Sequence, residues 1–154
     1  MLSLNAQLYA SLLDITKNLF YLTRKLLHMK EQVISRIAVI ILALVMGTFG
    51  FYHFYHAREM IVFVPDFLPG GIIWVYIVGA AFIAVAVALL AHKGVKIAGY
   101  TLAALLFLFV LTIHLPNWMN AGDPEMRQLS LTNLLKDSAI AAFAMYVASN
   151  AQRI

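Results

Sequence analysis

The chain has 154 residues, of which 63% are hydrophobic and 12% charged, and a formal net charge of +4. That charged share is about half that of a soluble domain, so a bilayer is the natural solvent; the Lys and Arg residues gather at the ends of apolar runs, which argues for membrane topology and against nucleic acid. With no cysteine, disulfides, thiolate metal sites, iron–sulfur ligation and a thiol relay are excluded for this chain alone.

Residues 1–30 come first. Leu4, Leu8, Leu12, Ile15, Leu19, Leu22 and Leu26 recur at spacings of four and three, which is one face of an α-helix. Lys17, Arg24 and His28 fall roughly opposite that stripe. Charges interrupt the segment too often for it to span. It reads as an amphipathic helix at the membrane surface, with Lys17, Arg24 and Lys25 near anionic headgroups. A partner-binding helix is the competing reading. The segment lacks the basic leader, short apolar core and small-residue cleavage site of a signal peptide.

Four spans are expected next, at about 33–54, 71–91, 95–115 and 131–148. The first three approach the ~20 residues that cross a hydrocarbon core. The fourth is weaker, because Lys136 and Asp137 lie near its start. Between the first two spans, "HAREMIVFVPDFLPG" reads as a loop with a short interfacial turn. "HKG" is a tight turn, and "PNWMNAGDPEMRQ" is a polar loop with turn chemistry at 121–124. The fold class is therefore all-α: an integral membrane four-helix bundle over 31–154, preceded by the amphipathic helix. Lys17, Arg24, Lys25, Lys30, Arg36, Lys93, Lys96 and Arg153 fall on one side. The positive-inside rule puts that side, with both termini, in the cytoplasm of a plasma (bacterial inner) membrane. Asp66, with Glu59, Asp123 and Glu125, then lies outside.

Small residues mark the expected helix contacts: Ala43, Gly47 and Gly50; Gly79, Ala80, Ala84 and Ala88; Ala98, Gly99, Ala103 and Ala104. In the fourth span, Asp137, Ala141, Ala144 and Ala148 share a small-residue face that should point inward. Lys136, Ile140, Phe143 and Val147 form a bulky face, so Lys136 should point to lipid and snorkel outward.

This topology sets His53, His114 and Asp137 at similar depth beneath the outer surface, as a candidate polar cluster. Three roles stay open for it: a hydrogen-bonded structural cluster, a small-molecule or proton site, and a metal or haem site. A haem would use His53 and His114 as its axial pair. A zinc ion would need a third ligand and an ordered surround, so no metal is assigned. His56, past the helix end beside Arg58 and Glu59, reads as solvated. Tyr52, Tyr55, Trp74, Tyr76 and Trp118 read as an aromatic belt at the outer interface.

Two stretches resemble the DoxX-like family of small membrane proteins. In "GFYHFYHAREMIVFVPDFLPGGIIWVYIVG" the matching residues are Gly50, His53, Phe54, Pro65, Leu68 and Pro69. In "HLPNW" and "NLLKDSAIAAFAMYVA" they are His114, Pro116, Asn133 to Asp137, and Ala139. The likeness covers about 34–150 and implies a four-helix membrane bundle. Relatives are linked to quinone-coupled sulfur oxidation, membrane redox complexes and assembly roles. Many carry a glutamate in the second helix, where this chain reads "VGAAFIAVAVALL", and the N-terminal helix is an addition to the pattern. The first function expected is a non-catalytic accessory or assembly subunit, without cofactor, bound to the bilayer and to a protein partner or a second copy. The alternative is a quinone-linked oxidoreductase subunit using the polar cluster. A small transporter is disfavoured, because no pair of broken helices occupies equivalent halves.

Overall fold

The computed structural model describes residues 4–65 and 68–152, with side chains from residue 7 onward. Asp66 and Arg153, both used in the charge pattern, and the Leu4 side chain lie outside what is described. The described residues are mostly helical, with no strand among them. Two units are distinguished, Met1–Ile37 and Ala38–Ile154.

Helix α1 runs Leu4–Tyr55. In the first unit every residue from 7 to 34 is exposed, including Lys17, Arg24 and Lys25. The leucine face expected of this segment is uncovered there: Leu8, Leu12, Leu19, Leu22 and Leu26 are each more than half exposed.

The second unit takes the rest of α1 and five further helices. A short α2, Ala57–Met60, and a 3₁₀ turn, Ile61–Phe63, follow. Pro65 and the positive φ of Gly70 and Gly71 then break the helical path. Helix α3 is Ile72–Leu90. Gly94, in the left-handed region at φ 67°, opens α4, Val95–Phe109. A π turn, Val110–His114, passes directly into α5, Leu115–Asn120. Asp123 then caps α6, Pro124–Ser149: its Oδ1 accepts from the Met126 amide at 2.8 Å, and Pro124 sits in the first turn. The expected polar loop after the third span is therefore mostly helix. Only residues 121–123 connect α5 to α6.

Among the described residues, three helices are long and apolar enough to cross a membrane: α1 over Gln7–Tyr55, α3, and the continuous path Val95–Asn120. Helix α6 has 26 residues, about 39 Å at 1.5 Å per residue, but carries four charges, Glu125, Arg127, Lys136 and Asp137. It shares one apolar core with the others. Met46 of α1, Leu89 of α3, Leu102 of α4, and Ala144 and Val147 of α6 are all essentially inaccessible.

The small-residue pattern needs correction in part. Ala43, Gly50, Gly79, Ala98, Gly99 and Ala103 are buried, but Ala80, Ala84 and Ala104 are exposed. Helix α3 instead packs through Val75, Gly79, Phe82, Val85, Ala86 and Leu89. On α6, Asp137, Ala141, Ala144 and Ala148 are buried as expected. Val147, assigned to the outward face, is 1% exposed, so the buried stripe is wider than four residues. An inward stripe of a packed helix covers 100° or more, and Val147 is one step from Ala148 within it.

Two crossings depend on glycine. A Cβ on Gly50 would stand 2.9 Å from the Gly79 carbonyl oxygen and 2.7 Å from Ile83 Cγ1. A Cβ on Gly99 would stand 2.8 Å from the Ala144 carbonyl oxygen. Such approach needs hydrogen in place of a side chain. At Gly47 the nearest contact would be an ordinary 3.6 Å, to Ala86 Cβ. Gly50→Val should therefore cost about 1–3 kcal/mol through overpacking, while Gly47→Ala should be neutral or stabilising. Unfolding of both variants in detergent checks this. Equal behaviour of the two would contradict the crossing.

Candidate functional site

A cavity of about 210 Å³ lies within the second unit. Met46, Phe49 and His53 of α1 form one wall, and Phe82 of α3 another. Met60 and Phe63 reach in from the segment after α1. Leu106 and Phe109 of α4, with Ile113 and His114 of the π turn, face Asn133, Lys136, Asp137 and Ile140 of α6. All three members of the expected polar cluster thus border one space.

His114 and Asp137 are joined directly. His114 Nε2 donates to Asp137 Oδ2 at 3.0 Å. Asp137 is 7% exposed. A carboxylate so far from water needs donors to replace its hydration, and this bond supplies one. The π turn helps to position it. Pro116 has no amide hydrogen, and a proline ring inside a helix crowds the carbonyl four residues back, here that of Thr112. The Leu115 amide instead bonds the Val110 carbonyl, five residues back. The added residue resets the helix register at the point where His114 meets α6. Single π turns of this kind recur at functional sites.

Lys136 departs from expectation. Its ammonium turns toward the cavity, 3.5 Å from Asp137 Oδ1, and donates to Asn133 Oδ1 at 3.1 Å. It also lies 5.2 Å from the centre of the Phe49 ring, a cation–π distance. Adjacent residues on a helix differ by about 100°, which is not enough to send Lys136 away when the cavity wall is wide. Both oxygens of Asp137 therefore face basic nitrogen, and an outward-snorkelling Lys136 would have left one of them bare.

His53 reaches the same space but is tied to its own helix. Its Nδ1 donates to the Phe49 carbonyl at 2.7 Å, and its ring stands edge-on to Phe82, with centroids 5.3 Å apart. Since a carbonyl only accepts, Nδ1 carries the hydrogen and Nε2 is the nitrogen left for another group. His56, three residues on, takes no part. It follows the end of α1, stacks on Tyr52, and pairs with Glu59 Oε2 at 2.9 Å. For a haem or metal, His114 would have only Nδ1 to offer unless its bond to Asp137 broke.

Residues 42–148 match DUF8561, a domain of unknown function. The chain belongs to the DUF8561 family. The matched stretch takes in every residue named at the cavity and both glycine crossings. No curated protein and no solved structure matches the chain.

Asn133, Lys136 and the aromatic wall were not in the expected cluster. A signal for the first two exists: Asn133, Lys136, Asp137 and Ile140 follow the spacing i, i+3, i+4, i+7 of one helix face. Asp137→Ala should cost more stability than Lys136→Gln. Losing one partner of a buried charged pair costs ~3–5 kcal/mol in dry interiors, and interhelical polar pairs in membranes are nearer ~1 kcal/mol. Lys136, whose side chain is 40% exposed, should cost at most about 1 kcal/mol. Thermal unfolding of the two variants in one detergent ranks them. The reverse order would contradict the placement of Asp137.

Proposed function

We propose that this DUF8561 protein is a four-helix integral membrane protein of the plasma (bacterial inner) membrane that serves as a non-catalytic accessory or assembly subunit of a membrane complex. The observation that carries the subunit reading is the uncovered leucine face of residues 7–34. A face of that length needs a cover: a headgroup region, a protein partner or a second copy. Lys17, Arg24 and Lys25 would add attraction to anionic lipid, at about 1 kcal/mol each near the surface.

The membrane part of the proposal rests on three helices of spanning length and apolarity. Helix α6 packs into the same core as these and is long enough to be the fourth span. The resemblance of residues 34–150 to DoxX-like proteins supports the same count. Charge distribution supports cytoplasmic termini. A quinone-linked oxidoreductase subunit is the second reading, and the cavity beside His53, His114 and Asp137 favours it.

Native electrophoresis of membranes in mild detergent tests the subunit reading. The wild-type chain should run in an assembly larger than itself, and the pair Leu12→Glu and Leu19→Glu should release it. A wild-type chain running alone would overturn the reading. Topology is tested separately, since the chain has no cysteine of its own. Single cysteines at Asn120 and Gln152 should react with an impermeant reagent from opposite sides. Reaction from the same side would contradict the four-span count.

A further inference from the structure

The cavity carries an inference independent of the subunit reading, because none of its groups lies on the 7–34 face. We propose that it binds a small hydrophobic carboxylic acid, with the carboxyl group on Lys136, Asn133 and His53 and the hydrocarbon among Phe49, Phe82 and Phe109.

Charge decides the head group. Asp137 is the one acid bordering the cavity among the described residues, and both its oxygens are engaged, by His114 and by Lys136. Its Oδ2 accepts from His114 and its Oδ1 stands 3.5 Å from the Lys136 ammonium, which keeps hydrogens to donate elsewhere. That ammonium has three hydrogens, one of which goes to Asn133. Asn133 accepts through Oδ1, which leaves its amide hydrogens as donors. The free functions at this end are therefore donors beside a positive charge, which suit an anionic oxygen. His53 Nε2, left over from the bond to Phe49, meets a carboxyl group in either protonation state: it accepts the acid's proton or, having taken it, donates.

A cationic ligand fits poorly. The face of Phe49, where a cation would settle, already holds the Lys136 ammonium. The carboxylate that would balance such a ligand is occupied. Size limits the body of the ligand. The volume of about 210 Å³ exceeds the ~150 Å³ that accommodates benzene and falls short of the ~300 Å³ where drug-sized sites begin. One aromatic ring or a short alkyl chain fills it.

Isothermal titration calorimetry on the full-length chain in detergent micelles tests the proposal, with empty micelles subtracted. The probes are benzoate and octanoate, which separate aromatic from aliphatic acids, and benzylammonium. At least one acid should bind saturably at one per chain, and benzylammonium should give no saturable heat. Lys136→Gln should weaken acid binding by about tenfold or more, the loss of one charge-assisted bond. Lys136→Arg, which keeps the charge, should retain most of it. Phe109→Trp, which fills the cavity without altering charge, should also weaken binding. The proposal is overturned if neither acid binds saturably or if benzylammonium binds as well as the acids. It is equally overturned if Lys136→Gln or Phe109→Trp binds the acids as tightly as the wild-type chain does.

Discussion

Asp137 is a carboxylate with almost no contact with water, set in a helix whose other buried residues are Ser130, three alanines and Val147. Stripping a carboxylate of its hydration is expensive unless donors replace the lost water. Much of the local architecture follows from that requirement. His114 comes from another helix to bond one oxygen, and Lys136 folds back to face the other. The π turn before Pro116 lies where the first of these contacts is made. Asn133 then holds the lysine from one turn earlier.

Close helix packing provides the frame for that cluster. Gly50 and Gly79 let α1 and α3 touch backbone to backbone, and Gly99 does the same for α4 against Ala144 and Ala148 of α6. Leu102, Met46 and Val147 close the core elsewhere. The cavity is bounded by the large rings of Phe49, Phe82 and Phe109, which line a space without filling it. Its polar end is the Asp137 cluster.

Helix positions were largely legible because apolar length and periodicity are local properties of a chain. The breaks at Pro65, Gly70, Gly71 and Gly94 were legible for the same reason: these residues alter backbone preference directly. The continuation of helix through Leu115–Asn120 was not, since proline and asparagine there suggested a loop. Proline at the second position of a helical segment is compatible with helix, and the π turn absorbed its missing hydrogen bond. At the site, depth along the helices was enough to bring His53, His114 and Asp137 to one space. The direction of Lys136 was not recoverable in the same way. The helical spacing of Lys136 with Asn133, Asp137 and Ile140 hinted at the cavity side, but the Phe49 ring it faces comes from another helix and is in place only after packing.

The bond between His114 and Asp137 joins α6 to the π turn at the polar end of the cavity. A double-mutant cycle of His114→Ala and Asp137→Ala, read from unfolding free energies in a single detergent, isolates that bond from the packing of either side chain. The structure predicts a coupling of about 1 kcal/mol or more. Effects that add to within about 0.5 kcal/mol would contradict it.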